Sequence, residues 1–152
     1  MAGIATLDDV LRIENSAEAS PQFGGSYEIL ANSSIKHKDK PALSFFLETE
    51  SYKTPKTWTY GELFEEVNRT ANFFNSLGAT KDSVIAFVLP NLPQTHWVIW
   101  GGEATGIVFA VNPLLESSAI AELLKAAGTE IVVTLAPFPG SDLWQKVAAS
   151  LD

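Results

Sequence analysis

Two spacings of apolar residues share this chain, and the point where they begin to alternate defines its main body. Val84–Leu89 reads Val-Ile-Ala-Phe-Val-Leu and Ile107–Val111 reads Ile-Val-Phe-Ala-Val, neither with a polar position. Short runs with no polar face predict strands covered on both sides. Pro90 ends the first run, and Glu130–Leu135 supplies a third strand. Between them the spacing changes to three and four. Pro93 opens a helix through roughly Thr105 with Trp97, Val98 and Trp100 as its bulk; Ile120, Leu123, Leu124 and Ala127 line a second, closed by Gly128. After Ala136-Pro137-Phe138-Pro139-Gly140, Ser141 is expected to cap a helix carrying Leu143, Trp144 and Val147. Strand–helix–strand–helix–strand with continuously apolar strands predicts a parallel sheet joined by right-handed crossovers.

Upstream the pattern is more broken. Thr6 can cap a short amphipathic helix, with Asp9 at the capping-box position and Leu7, Val10 and Leu11 on one face. Glu14 to Ser26 is small and polar, with Pro21 and Gly24-Gly25, and reads as a loop; Tyr27 to Ile35 reads as a second short helix. Lys36-His37-Lys38-Asp39-Lys40 is expected to be a solvated loop. Ala42–Thr49 predicts a strand, Glu50–Pro55 a turn, and Lys56–Trp58 the returning strand of a hairpin. The sharpest local signal follows. Thr59-Tyr60-Gly61-Glu62 is a capping box, Trp58 and Leu63 stand where a hydrophobic staple would close, and Leu63, Val67, Phe74 and Leu77 share one stripe before Gly78 stops the helix. The fold class expected is α/β: a parallel sheet with flanking helices plus an N-terminal β-hairpin. Residues 1–40 are read as N-terminal helices and loop, and 41–152 as the α/β body. The last helix reaches Asp152 with no cap, glycine or following strand, and reads as a chain cut rather than finished.

Composition narrows the function classes. The 152 residues are 46% hydrophobic and 11% aromatic, enough for a packed core without staples. Zero cysteine removes disulfides, thiolate-held metals and thiol catalysis, and fits a reducing compartment such as the cytoplasm. Eighteen acids against ten lysines and arginines, a net charge of −8, argue against nucleic acid and anionic membrane as partners. The N-terminus lacks the basic region of a secretory signal. Val84 to Leu115 holds only Glu103 as a charge, but its prolines, Asn91, Gln94, His96 and Gly101-Gly102 divide it into pieces too short for a membrane span.

Familiar catalytic signatures are missing. The chain has no G-x-G-x-x-G, no G-x-x-x-x-G-K-[ST] and no G-x-S-x-G. Gly101-Gly102 lies within a predicted helix and is explained by close helix–sheet packing. His37 and His96 stand in unrelated contexts, one solvated and one near a helix end, and predict no metal site. Asp8-Asp9 and Glu65-Glu66 are expected on solvent faces of helices. Asn32-Ser33-Ser34 and Asn68-Arg69-Thr70 match the glycosylation sequon, which carries no meaning without secretion.

A series of small motifs in fixed order says more. Thr57-Trp58-Thr59-Tyr60-Gly61-Glu62-Leu63 is followed by Val67-Asn68-Arg69, Ala71-Asn72 and Leu77-Gly78. Then come Asp82-Ser83-Val84-Ile85-Ala86, Leu89-Pro90-Asn91-Leu92-Pro93-Gln94, Ala104-Thr105-Gly106-Ile107-Val108 and Val111-Asn112-Pro113-Leu114-Leu115-Glu116. Over about Pro41 to Leu151 this resembles the N-terminal part of the AMP-forming acyl-CoA synthetases, in the adenylate-forming superfamily; Asn112-Pro113-Leu114-Leu115 leans toward the fatty acyl members. The resemblance implies a parent ligase that uses ATP, Mg²⁺ and CoA to activate a carboxylic, fatty acid as an acyl-adenylate and pass it to CoA. It also implies what should be elsewhere. The Ser/Thr/Gly-rich ATP loop ending in Pro-Lys-Gly, the Tyr-Gly-x-Thr-Glu segment, the ribose-binding Asp and the catalytic Lys do not occur between Met1 and Asp152. No catalytic or metal-binding residue is therefore assigned, the piece alone is expected to bind no cofactor and to be inactive, and its uncovered apolar surface is expected to favour self-association. A non-catalytic α/β binding or interaction module is the alternative.

One contact is expected in the parent. Ligands of α/β sheets sit outside the carboxyl ends of strands, and Ile107–Val111 delivers its end into Asn112-Pro113-Leu114. Early N–H groups of a helix beginning near Ser117-Ser118 would favour a phosphate. The resemblance implies that Asn112, Pro113 and Leu114 can lie beside the nucleotide end of CoA; the competing reading is a tight turn with no ligand.

Overall fold

The computed structural model describes residues 6–15 and 23–151. Two short helices come first, α1 (Leu7–Glu14) and α2 (Ser26–Lys36), and then a hairpin of β1 (Pro41–Phe45) and β2 (Lys56–Thr59). The long helix α3 (Tyr60–Ser76) leads into β3 (Val84–Val88), α4 (Pro93–Glu103), β4 (Ile107–Ala110), α5 (Ser117–Ala126), β5 (Thr129–Thr134) and α6 (Leu143–Ala148). The main sheet has the order β4-β3-β5, with both pairs parallel. Val84 lies opposite Ile107 and Thr129, so the parallel body expected over Val84–Leu135 is the observed one.

The central strand shows why its sequence has no polar face. Ala86 and Val88 project to one side, into a core with Val111, Ile120, Leu124, Leu143 and Val147. Ile85, Phe87 and Leu89 project to the other, against Phe74 and Val98. Side chains alternate along a strand, so a strand between two helical layers must be apolar at every position. Each large side chain so buried contributes about 1.5–3 kcal/mol. Helices α3 and α4 cover one face, and α5 and α6 the other.

Helix α3 is specified locally. Glu62 N–H donates to Thr59 Oγ1 (3.2 Å) and Thr59 N–H donates to Glu62 Oε2 (2.8 Å), closing the capping box. Trp58 and Leu63 are both buried beside it, and Leu63, Val67, Ala71 and Phe74 form the inward stripe. Its start is also tied to the basic loop: Tyr60 and Gly61 N–H groups donate to the carbonyls of Lys40 and Lys38. Lysines 36, 38 and 40 stay exposed, as expected. Gly101 packs on α3, where a Cβ would meet Thr70 Cβ at 2.8 Å, and Gly102 on β4, where one would meet Val108 Cγ2 at 2.5 Å. The Gly-Gly pair thus serves helix–helix as well as helix–sheet contact.

Several expectations need correction. The strand expected over Ala42–Thr49 ends at Phe45, because its partner begins at Lys56 and offers nothing to pair beyond it; Thr49–Lys53 is a 3-10 turn. Ile107–Val111 is not covered on both faces: β4 lies at the sheet edge among the described residues, and Ile107 is 52% exposed. Leu77, Leu123 and Trp144, assigned to apolar faces, are exposed. Helix α1 has the expected Thr6–Asp9 capping box, yet Leu7 and Leu11 are exposed too. Helix α6 starts at Leu143 with Asp142 as cap; Ser141 Oγ still accepts from Leu143 N–H (3.3 Å). Much of the expected Glu14–Ser26 loop lies outside the described residues.

Candidate functional site

The connections around β3 run in opposite directions. Helix α4 carries the chain from β3 to β4 on one side, and α5 carries it back past β3 to β5 on the other. The two helices accordingly occupy opposite faces of the sheet. Such a reversal opens a crevice between the carboxyl ends of the diverging strands, where open α/β sheets bind ligands. Here a cleft of about 880 Å³ lies at that point. Its walls are the loop after β3 with the start of α4, the loop after β5, and the hairpin through Phe45, Lys56 and Trp58.

Each wall is fixed by local chemistry. Thr95 Oγ1 donates to the Pro90 carbonyl (2.7 Å) and accepts from Leu92 N–H (3.3 Å), which holds Pro90-Asn91-Leu92-Pro93 as a bend entering α4. Across the cleft, Ser141 N–H donates to the Phe138 carbonyl (3.1 Å) and Gly140 takes φ +82°, turning the proline-rich loop back toward α6. Thr134 Oγ1 donates to the Val88 carbonyl (3.2 Å), pinning the ends of β5 and β3 together. Trp58 meets Trp97 edge to face at 5.9 Å, fastening the hairpin to α4. The ammonium of Lys56 lies 4.7 Å above the Trp58 ring. Trp97 Nε1 is buried with no hydrogen-bond partner among the described residues.

Asn112, Pro113 and Leu114 lie at the same end of the sheet but one strand away, outside the cleft wall. Leu114 N–H donates to Asn112 Oδ1 (2.9 Å) and Leu115 N–H to the Asn112 carbonyl (3.2 Å), a local Asx-type turn. Asn112 and Leu114 are exposed, and the Asn112 amide nitrogen makes no hydrogen bond among the described residues. Helix α5 begins at Ser117 with no side-chain cap from Glu116. The crevice itself was missed in the sequence, because it exists only once β5 is known to lie on the far side of β3. Its one trace there is that both strands end in loops with two prolines, Pro90 and Pro93, Pro137 and Pro139.

The remaining expected residues are scaffold. His37 is half-buried, its ring 5.9 Å from that of Tyr60, and His96 sits in the first turn of α4. No group of three metal-ligating side chains exists among the described residues. Asp9 completes the α1 capping box and pairs with Arg12, while Glu66 pairs with Arg69. Asn68, in one sequon, accepts from the Tyr27 hydroxyl (2.8 Å), which ties α3 to α2. No helix of the described residues is long and apolar enough to cross a membrane.

Residues 30–151 match the family described as AMP-binding enzyme. The chain belongs to that family. Its relatives in the AMP-binding family include the marinolic acid–CoA ligase of Pseudoalteromonas sp. (strain SANK 73390), 32% identical over 114 residues, which covers 75% of this chain and 17% of that protein. The long-chain-fatty-acid–CoA ligase of Bacillus subtilis (strain 168) is 30% identical over 111 residues, 70% of this chain and 18% of that one. The chain thus spans less than a fifth of the length of these two relatives. The fold recurs in a benzoate CoA ligase from Burkholderia xenovorans LB400, with TM-score 0.68 and 20% identity, covering 82% of this chain and 23% of that one. The resemblance carried by the motifs from Thr57 to Glu116 therefore holds at the level of the family and of the fold.

Proposed function

We propose that this chain is the opening α/β portion of a longer carboxylate–CoA ligase. In the proposed reaction a carboxylate oxygen attacks the α-phosphorus of ATP and pyrophosphate leaves. The CoA thiol then attacks the acyl carbonyl and AMP leaves. The mixed anhydride is needed because a carboxylate is a poor electrophile with no leaving group. The observation that carries the reading is the match over residues 30–151, and two CoA ligases at 30% identity or more support it. The absence of the Pro-Lys-Gly loop from the 152 residues supports placing adenylation chemistry elsewhere. Mg²⁺ enters this reading only as the ion that accompanies ATP, since no group of three metal-ligating side chains stands among the described residues. The named substrate of the Bacillus subtilis relative supports a fatty acid, and the lack of cysteine supports the cytoplasm as the compartment.

The test is to read the native gene beyond codon 152 and assay its full product for acid-dependent exchange of pyrophosphate into ATP. Exchange is expected with fatty acids, and none from the 152-residue chain alone. A gene that stops at 152, or a full product inert with every acid tried, would favour a binding module. Within the same reading, the Asn112–Leu114 turn touches CoA, supported by its exposure at the carboxyl end of β4. Asn112→Ala in the full enzyme is expected to raise KM for CoA severalfold while leaving adenylation intact; equal damage to both half-reactions would return Asn112 to the scaffold.

A further inference from the structure

Helices α1 and α2 carry two surfaces that do not meet. Helix α1 is closed by its own capping box, yet none of its residues is buried, and Leu7 stands 72% exposed on a stripe with Val10, Leu11 and Glu14. A helix of eight residues is too short to be stable by itself and depends on burying its apolar stripe. Helix α2 has no buried residue either. Along one side of it runs a groove of about 270 Å³, lined by Phe23, Ile29, Asn32, Ser33, Lys36 and His37. No residue of α1 lines that groove. The two stripes have the same spacing: Leu7, Val10, Leu11 and Glu14 on α1 correspond, position for position, to Ile29, Asn32, Ser33 and Lys36 on α2.

From this match we propose that the groove is the docking site for α1 of a second copy, so that two chains exchange their first helices around a two-fold axis. The helices lie parallel: Leu7 meets Ile29 and Phe23, Val10 and Leu11 cover Asn32 and Ser33, and Glu14 reaches Lys36. Charge selects the direction. Glu14 and Lys36 form no ion pair with any described residue, and residues 36–40 hold three of the chain's ten lysines and arginines. At a net charge of −8 two copies repel over most of their surfaces, and the basic end of this groove is where an acidic helix end is admitted. Reach selects the second copy. Docked this way, α1 ends beside the end of α2, and its own chain would have to return past the whole of that helix to enter it. From Asn15 to Phe23, eight residues on, the chain extends at most about 27 Å, of which the length of α2 takes about 16 Å. A second copy has no return to make, and each copy offers both halves of the contact, which closes the pair. The dimer stands or falls apart from the ligase chemistry, since neither helix lines the cleft at the carboxyl ends of the strands.

The test is sedimentation velocity of the 152-residue chain over a range of concentrations. The mass is expected to rise from 16.4 kDa toward twice that value as concentration increases. Leu7→Ser with Leu11→Ser should weaken association by about tenfold through lost apolar contact, and Ile29→Ser should weaken it in the same direction. Mixing those two variants should recover part of the dimer, because the first keeps its groove and the second keeps its α1. Glu14→Lys and Lys36→Glu should each cost about threefold, and the two together in one chain should restore the affinity. Leu77→Ser, which removes an exposed leucine from α3, should change nothing. Far-UV circular dichroism checks that each variant is folded. Removal of residues 1–15, none of which belongs to either buried core cluster, is the second route to the same loss should a leucine variant misfold. A monomer at every concentration, a dimer that survives removal of residues 1–15, or a charge exchange that restores nothing would overturn the proposal.

Discussion

The two ends of the parallel sheet are built on opposite principles. At the amino end of β3, Ser83 is buried, and its hydroxyl donates to Glu130 Oε2 (2.8 Å) while accepting from Thr80 N–H (3.1 Å). Ile107 N–H donates to the Ser83 carbonyl (2.9 Å), so that residue joins the starts of all three strands. Gly106 lies so close that a Cβ there would stand 2.5 Å from the Ser83 carbonyl oxygen. At the carboxyl end the chain leaves β3 and β5 through proline-bearing loops and encloses about 880 Å³ of mainly apolar cleft. Backbone groups need partners wherever water is excluded. The amino end finds them in a closed polar cluster, and the carboxyl end finds them within its loops. One end closes on itself and the other leaves an open cleft.

Substitutions at the two ends should differ in their cost to stability. The largest effect is expected for Gly106→Ala, whose new methyl meets backbone oxygens of Ser83 and Thr80 that have no rotamer to escape by. A loss of about 3 kcal/mol is expected in urea unfolding; a loss below about 1 kcal/mol would show that the amino end is looser than described. Ser83→Ala removes a buried hydroxyl and leaves Thr80 N–H and Glu130 without that partner, for about 1–2 kcal/mol by the same measurement. The smallest stability change belongs to the carboxyl end. Phe138→Ser, at a residue 57% exposed in its loop, should alter unfolding free energy by no more than about 0.5 kcal/mol. If Phe138→Ser destabilised as much as Ser83→Ala, the contrast between the ends would be gone.

The legible parts of this molecule were those set by neighbours in sequence. The Thr59–Glu62 capping box needs only residues three apart, and it formed as read. The same is true of the Leu63–Val67–Phe74 stripe and of β3, whose fully apolar run already implied two covering layers. Where a distant partner decided the outcome, the reading slipped. Nothing in Ala42–Thr49 announces that β2 is too short to pair past Phe45. Nothing in Ile107–Val111 says that it would sit at an edge, since a central strand and an edge strand can share one composition. The Asn112 turn was correctly placed at the carboxyl end of a strand, but the crevice lies one strand away.

Local chemistry in the sequence, then, determined the elements, their caps and the apolar character of the sheet interior, because these depend on spacing within a turn or two. Family membership was legible too, through short motifs in a fixed order between Thr57 and Glu116. Only the tertiary structure decided the order β4-β3-β5. That order sets the direction in which each crossover leaves β3, and the direction sets where the strands diverge. Lys56 comes from the hairpin, Trp97 from α4 and Phe138 from the loop after β5, and they line one cleft because packing, not spacing, brings them together.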